Sequence, residues 1–193
     1  MKQFNIYLSG VGGQGIGLLS ETILRAADHA GHHVKGVDTH GLAQRGGTVV
    51  SQIRIGTDVH TPLMARRRAD LIISLERHEA MRAMAGYAKE GATLIYYNTV
   101  WQPLGVRLGQ DEEVSADALA DRCREAGVRC IRVFHPDLED VRMQNMALLA
   151  RIDRERLVPG VKSDHYRKAM DDLMAGPMLK KNTALYEAQR TAI

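Results

Sequence analysis

Apolar residues recur at two different spacings along the first hundred positions and divide them into alternating strands and helices. Short runs that are apolar, or that alternate apolar and polar residues, are typical of strands, whereas an apolar residue every three or four positions is typical of a helix. This pattern predicts strands over residues 5–9, 34–38, 48–55, 70–75 and 92–97. It predicts helices from Ile16 to a stop at Gly31 and over residues 76–85.

The second half of the chain is more helical. The pattern there predicts one strand, over residues 128–134, and helices over 115–126, 143–152, 166–174 and 181–192. Alternating strands and helices favour a three-layer α/β fold, with a mostly parallel sheet and helices on both faces. Residues 48–55 follow a loop with no helix before them, so this strand is a candidate antiparallel element. No repeat or linker divides the chain, and we expect one domain over residues 1–193.

Composition narrows the class of protein further. Hydrophobic residues make up 45% and charged residues 25% of the 193 positions, as in globular proteins. The formal charge of +3 is too small to indicate nucleic-acid or membrane binding. The first strand begins almost at once, which leaves no room for a signal peptide. We therefore expect a cytoplasmic protein. Cys123 and Cys130 form neither a disulfide framework nor a set of cluster ligands.

A glycine-rich turn follows the first strand. Gly10, Gly12 and Gly15 form G-x-G-x-x-G, with Gly13 and Gln14 between them, a Rossmann-like arrangement of strand, turn and helix. Glycines let a phosphate approach the backbone, and the helix N-terminus adds N–H groups and positive charge. Asp38 lies 23 residues after Gly15, near the position of a ribose-binding acid. The alternative is that these glycines only allow the helix and strand to pack closely.

A second polar loop follows the second strand. It contains His40, Gly41, Gln44, Arg45, Gly46 and Gly47. We expect both loops at the carboxyl ends of neighbouring strands, where open α/β sheets bind ligands. The Arg45 guanidinium is suited to a carboxylate or phosphate, although it is equally suited to tying its own loop to a neighbouring helix end.

Together these loops resemble a known family. Gly-Val-Gly-Gly-Gln-Gly at 10–15, with His40-Gly41 and the segment 44–47, is similar to the gamma subunit or domain of 2-oxoacid:ferredoxin oxidoreductases, and most of all to the small (beta) subunits of indolepyruvate ferredoxin oxidoreductases. The strand that ends at Glu76 also resembles the family. Further matches are Asn98, Asn145 and Asn182. The sequence departs from the family pattern at two positions: Ala150 stands where the pattern has glycine, and Thr39 is unusual before His40-Gly41.

The resemblance implies a subunit of an enzyme that oxidatively decarboxylates a 2-oxoacid, here an aryl pyruvate such as indolepyruvate, to acyl-CoA while ferredoxin is reduced. The chain has no Gly-Asp-Gly segment typical of thiamine diphosphate sites, and two cysteines cannot hold an iron–sulfur cluster. We therefore expect thiamine diphosphate, Mg²⁺ and the clusters on a partner chain, and no catalytic residue, metal or tightly bound cofactor in this chain alone. Ferredoxin would be an indirect partner, and whether CoA reaches this chain is open.

In that setting the two loops are the candidate site for binding a phosphate or shaping the active site. The expected assembly is a hetero-oligomer, with a homodimer conceivable for the isolated chain. The Met-rich last third (Met143, Met146, Met170, Met174 and Met178) is either core or a partner surface, with core the favoured interpretation. The basic run 66–68 is interpreted as a solvated loop rather than an anion or ferredoxin contact.

Two other functions are compatible with the glycine turn. One is a free-standing NAD(P)-binding reductase of the Rossmann type, which would bind NADH without a partner. The chain shows no Tyr-x-x-x-Lys pair to support hydride transfer. The other is a regulatory nucleotide-binding module.

Overall fold

A computed structural model of the chain describes residues 1–40, 47–101, 106, 108–110 and 112–192. The described strands form one sheet with the spatial order β2-β3-β1-β4-β5-β6. Their bounds are β1 Phe4–Val11, β2 Val34–His40, β3 Thr48–Ile55, β4 Ala69–Ser74, β5 Ala88–Tyr97 and β6 Arg129–Val133.

The sheet is mixed, with one strand reversed. β1 pairs with β4 in parallel, and the parallel pairing continues through β5 to β6. β3 pairs antiparallel with both β1 and β2. The predicted antiparallel role of residues 48–55 is therefore confirmed. β2 has the same direction as β1 but does not neighbour it, because β3 lies between them.

Helices cover both faces of the sheet. The described helices are α1 Ile16–His29, α2 Arg77–Tyr87, α3 Ala116–Glu125, α4 Gln144–Arg154, α5 Ser163–Leu173 and α6 Gly176–Thr191, with a short 3-10 turn at Val141–Met143. α1, α4, α5 and α6 share one hydrophobic cluster with the first face of the sheet. α2 and α3 share a second cluster with the opposite face. The predicted three-layer α/β architecture is confirmed.

Alternation along the central strands supplies both clusters. In β4, Leu71 and Ile73 face the α1 side while Ile72 faces the α2 side, and all three are buried. β5 repeats the pattern, with Ile95 on the first side and Leu94 on the second. A strand buried on both faces reads as a continuous apolar run, which is how these two strands appear in the sequence.

Helix ends follow local chemistry. The Ser115 hydroxyl caps α3 by accepting a hydrogen bond from the Ala118 N–H at 3.0 Å. α1 ends just before Gly31, whose φ of 78° suits a helix stop. α6 begins at Gly176 with Pro177 in its first turn, five residues before the start predicted from periodicity. None of the described helices combines the length and the apolarity needed to cross a membrane.

Candidate functional site

The parallel strands all end at one edge of the sheet, which we call the carboxyl edge. At this edge the glycine turn follows β1, Glu76 follows β4 and Asn98 follows β5. β2 ends there at His40, and the reversed β3 begins there at Thr48. Open α/β sheets bind ligands at the carboxyl ends of their strands, so those sequence-predicted residues that the structure describes lie at the expected edge.

The glycine turn leaves the N-terminus of α1 open. Gly15 is the N-cap with φ of 81°, a left-handed conformation that glycine adopts without cost. In the part of the chain that the structure describes, no side chain caps α1, so its first N–H groups are available to a ligand. Gly13 is exposed, and a Cβ atom added there would meet nothing within 4 Å. This geometry suits an anion such as a phosphate.

Gln14 braces the same turn from the inside. Its side-chain Nε2 donates to the Leu75 carbonyl at 2.9 Å, and its Oε1 accepts from the Val11 N–H at 2.7 Å. The residue is only 1% exposed. Gly10 makes room for this brace, because a Cβ atom at Gly10 would lie 2.9 Å from Gln14 Oε1. Gln14 therefore shapes the turn and joins it to the end of β4, and it does not face a ligand.

The second predicted loop meets the first at one described contact. The Gly12 N–H donates to the Gly47 carbonyl at 2.9 Å, so the end of the loop is held against the glycine turn. The backbone of His40 closes β2 opposite Val49. Gly41, Gln44, Arg45 and Gly46 lie outside the described residues, and their roles stay predictions.

Asp38 does not lie where a dinucleotide site would need it. Asp38 pairs with Ser51 of β3, and Ser51 pairs with Leu8 of β1. Asp38 is thus two strand spacings, roughly 10 Å, from β1. Its Oδ1 accepts a hydrogen bond from the Ser20 hydroxyl at 3.3 Å. The reading of Asp38 as a ribose ligand, and with it the NAD(P) reductase, finds no support in this geometry.

A hollow of about 500 Å³ lies beside the turn. Gly15, Leu18, Arg142, Asn145 and Met178 are among its lining residues. Asn145 Nδ2 donates to the Gly15 carbonyl at 3.2 Å, which fastens the start of α4 to the glycine turn. Asn145, one of the residues through which the sequence resembles the family, therefore supports the site directly.

A buried polar cluster lies next to the turn, after β4. Glu76 caps α2, because its Oε2 accepts from the Glu79 N–H at 2.9 Å. Glu76 Oε1 pairs with His78 Nδ1 at 2.9 Å, and the Val114 N–H donates to His78 Nε2 at 3.1 Å. In this arrangement Nε2 accepts from Val114 and Nδ1 donates to Glu76. The Glu76 side chain therefore caps α2 and binds His78.

Glu79 connects this cluster to the start of β3, directly after the second loop. Its Oε1 accepts from the Thr48 hydroxyl at 3.3 Å and from Arg82 Nη1 at 2.8 Å. Burial raises the pKa of the Glu79 carboxyl, Arg82 opposes that rise, and Glu76 adds to it. Sequence reasoning missed His78 and Glu79. The available signal was four consecutive ionisable residues, at positions 76–79, directly after a buried strand.

Other sequence-level candidates are now placed. Met146, Met170 and Met174 are buried, which confirms the core interpretation for them, whereas Met178 is 50% exposed. Residues 66–68 are exposed at the start of β4, on the edge opposite the glycine turn. Among the described residues, no group of three or more His, Cys, Asp or Glu side chains could hold a metal ion.

Comparison with curated proteins gives relatives of one kind. The chain is 41% identical over 134 residues to the indolepyruvate oxidoreductase subunit IorB of Archaeoglobus fulgidus, a match that covers 68% of this chain and 64% of the relative. It is 37% identical over 109 residues to the subunit of the same name from Thermococcus kodakarensis, covering 56% of this chain and 54% of that relative. The matched region thus spans between half and two thirds of the length of these two relatives.

Solved structures share the fold at low sequence identity. Pyruvate oxidoreductase subunit PORC of Thermotoga maritima superposes with a TM-score of 0.65 at 17% identity, covering 98% of this chain and 96% of that one. The 2-oxoglutarate:ferredoxin oxidoreductase of Magnetococcus marinus, solved with 2-oxoglutarate, coenzyme A and succinyl-CoA bound, gives a TM-score of 0.68 at 18% identity, covering 100% of this chain and 32% of that one.

The family described as pyruvate ferredoxin/flavodoxin oxidoreductase matches residues 5–192, nearly the whole sequence. The resemblance carried by the two glycine loops is thereby confirmed. The chain belongs to the pyruvate ferredoxin/flavodoxin oxidoreductase family.

Proposed function

We propose that this chain is the cluster-free subunit of a thiamine diphosphate-dependent 2-oxoacid:ferredoxin oxidoreductase, with an aryl pyruvate such as indolepyruvate as the oxoacid. The observation that carries the proposal is the family match over residues 5–192. The relatives named as indolepyruvate oxidoreductase subunits support the choice of substrate. In this reaction the oxoacid loses carbon dioxide, its acyl group passes to CoA, and the electrons pass to ferredoxin.

The cysteine content of this chain indicates which cofactors a partner chain would have to hold. Cys123 and Cys130 are the only cysteines, and an iron–sulfur cluster needs four ligands. Both lie on the second core cluster, away from the glycine turn. The clusters, thiamine diphosphate and Mg²⁺ therefore belong to a partner chain in this proposal, and the present chain binds and positions.

The glycine turn is the part of this chain that would meet the partner's substrates. An open helix N-terminus favours an anion by roughly 0.3–1 kcal/mol at an exposed site, and by more in a desolvated one. The phosphate groups of CoA are anions of the required kind. A CoA-bound relative of the same fold supports this assignment. Arg45 in the neighbouring loop is proposed to add a guanidinium to the same anion.

The carboxyl edge also has the surface expected of an interface. Four large apolar side chains are exposed around it: Trp101, Phe134, Val141 and Met178. Phe134 is 60% exposed directly after β6, and Met178 lines the hollow at the turn. Apolar side chains grouped on one edge are typical of a surface that another chain covers. The proposed partner therefore packs over the same edge that carries the glycine turn.

Anaerobic co-purification tests the proposal as a whole. The tagged chain, isolated from its native host, should bring down a partner that carries thiamine diphosphate and iron–sulfur clusters. That complex should reduce ferredoxin with indolepyruvate and CoA faster than with pyruvate or 2-oxoglutarate. A chain that purifies alone and binds NADH at micromolar concentration would overturn the proposal, and a preference for pyruvate would overturn only the substrate.

A matched pair of variants tests the anion site. Gly13→Asp and Gly13→Asn impose the same strain at φ of 105° but differ by one negative charge. In the assembled enzyme we expect the KM for CoA to rise about tenfold more in the aspartate variant, since a charge close to a phosphate costs on the order of 1–2 kcal/mol. Equal KM values in the two variants would exclude an anion at this turn.

Arg45 is tested by substitution to alanine and to lysine. We expect Arg45→Ala to weaken the affinity for CoA or the oxoacid and Arg45→Lys to restore part of it, because lysine keeps the charge but not the two-pronged geometry. Unchanged rate and affinity in Arg45→Ala would remove this residue from the site.

A further inference from the structure

The two cysteines are brought together by a tight connection between α3 and β6. Cys123 lies in the last turn of α3, and Cys130 is the second residue of β6. The Val128 N–H donates to the Cys123 carbonyl at 2.8 Å. Gly127, with φ of 64°, reverses the chain between them. Cys123 and Cys130 therefore lie on either side of the tight connection, where the end of α3 meets the start of β6.

Both side chains point into the same core cluster. Cys123 is fully buried there beside Leu119, and Cys130, which pairs with Leu94 in the sheet, is only partly buried at its margin. The two thiols are hydrogen-bonding neighbours, and each changes the ionisation of the other. Neither has a part in the glycine turn or the buried cluster around Glu76.

The environment distinguishes the two sulfurs. The hydrogen bond from Cys123 lowers the pKa of the Cys130 thiol, and Arg132 on the same strand adds to this effect. The same hydrogen bond, together with burial, raises the pKa of the Cys123 thiol. Cys130 is thus the more exposed of the two sulfurs and the one whose pKa is lowered, which favours it as the attacking thiolate.

We propose that Cys123 and Cys130 form a redox-active dithiol that closes to an intrachain disulfide in exchange with a small-molecule disulfide such as oxidised glutathione. The Cys130 thiolate attacks one sulfur of that disulfide, the S–S bond breaks, and one glutathione leaves as a thiol after taking up a proton. Cys123 then loses its proton and attacks the Cys130 sulfur, which releases the second glutathione. The protein gives up two electrons and two protons, and the small disulfide is reduced to two thiols.

This assignment is independent of the proposed function. The cross-link would tie α3 to the start of β6, at the edge opposite the glycine turn, and would close a short loop that is already held by the Val128 hydrogen bond. Because the Val128 hydrogen bond already joins the end of α3 to the start of β6, oxidation and reduction are expected to be reversible without unfolding.

The experiment uses the purified, fully reduced chain with graded mixtures of reduced and oxidised glutathione. Alkylation and mass spectrometry should show both thiols lost together, a mass lower by two hydrogen atoms, and no retained glutathione. Dithiothreitol should restore both thiols. Retention of both thiols at high oxidised glutathione, or a lasting adduct on the wild-type chain, would overturn the proposal, as would disulfide-linked dimers.

Single variants separate the two roles. Cys123→Ala, an apolar replacement that suits a buried site, should trap glutathione on Cys130. Cys130→Ser should leave Cys123 at least tenfold less reactive toward iodoacetamide than Cys130 is in Cys123→Ala, since burial and a raised pKa both suppress its thiolate. Equal reactivity of the two sulfurs would contradict the assigned order of attack.

Discussion

At the scale of single residues, Gln14 shows how a side chain can build a binding turn without facing the ligand. Both polar atoms of its amide are used by backbone groups, one in the turn and one at the end of β4. A buried backbone group that loses its partner costs about 1–3 kcal/mol. The rigidity of the proposed anion site therefore depends on this residue.

Gln14→Ala should lower the free energy of unfolding by about 2–4 kcal/mol, because two buried backbone groups lose their partner. Denaturant unfolding followed by circular dichroism measures the change. Gln3→Ala, at an exposed position near the other end of β1, is the control and should stay within about 0.5 kcal/mol of the wild type. A loss in Gln14→Ala no larger than that of the control would contradict the bracing role.

Glu79 predicts a pH dependence of stability with a definite sign. Its folded-state pKa is raised by burial, so the folded protein binds the proton more tightly than the unfolded chain does. The contribution of this proton to the free energy of unfolding is fully present below the unfolded pKa of about 4.3, and it is lost as pH rises through the folded pKa. Glu79→Gln does not titrate and should lack this decline, so its stability relative to the wild type should increase with pH.

Urea midpoints measured at several pH values, from about pH 4 upward, test this expectation. Glu90→Gln, which neutralises an exposed glutamate, is the control and should keep the slope of the wild type. Parallel curves for Glu79→Gln and the wild type would show that Arg82 and Thr48 fully offset the burial of Glu79.

At the scale of elements, the start of α4 is attached to the glycine turn through Asn145. A Cβ atom at Gly15 would lie 2.6 Å from Asn145 Nδ2, so Gly15→Ala must displace that side chain as well as strain the backbone. In an Asn145→Ala background only the backbone strain remains. We expect Gly15→Ala to cost about 1 kcal/mol less in that background, as a double-mutant cycle of unfolding free energies would measure. Additive costs would show that the contact carries no energy.

Loss of the α2 cap should lower the free energy of unfolding more than loss of the α3 cap does. Glu76→Ala removes the cap of α2 and also leaves the buried His78 Nδ1–H without its acceptor, so a loss of about 2–4 kcal/mol is expected. Ser115→Ala removes an exposed cap of α3 and should cost about 1 kcal/mol. Thermal unfolding of both variants provides the comparison, and equal losses would contradict the buried role of Glu76.

Most elements could be predicted from the sequence because strands buried on both faces and amphipathic helices leave clear patterns. The predicted strand over residues 48–55 matches β3 in bounds and direction. The position of β3 between β1 and β2 was not predicted, since periodicity carries no information on neighbours. The early start of α6 was missed because Gly176 and Pro177 look like a turn until the helix N-terminus is seen.

The candidate site was predictable to a similar extent. The glycine turn could be recognised in the sequence because a tight turn between a strand and a helix needs glycines at fixed positions close together in the chain. The inward direction of Gln14 and the cluster of Glu76, His78 and Glu79 depend on contacts between distant residues, such as that of Val114 with His78. Such contacts leave no local pattern in a single sequence.

At the scale of the whole molecule, the two edges of the sheet differ. Phe134 is exposed on the carboxyl edge beside Tyr97, with ring centroids 6.1 Å apart, and Leu63 is comparably exposed near the end of β3 on the opposite edge. Phe134→Asp should weaken co-purification with the proposed catalytic partner at least tenfold, since an aromatic anchor in an interface contributes 2 kcal/mol or more. Leu63→Asp should leave it unchanged. Equal effects of the two substitutions would place the interface elsewhere.

The place of β1 in the sheet constrains how the protein is made. Both of its neighbours lie downstream, because β3 spans Thr48–Ile55 and β4 spans Ala69–Ser74. During synthesis, the apolar first strand leaves the ribosome with both hydrogen-bonding edges unpaired, and it keeps them so until dozens of further residues have emerged. Unpaired apolar strands are prone to aggregation. β1, a central strand of the finished sheet, is therefore at risk of aggregation until β3 and β4 have emerged.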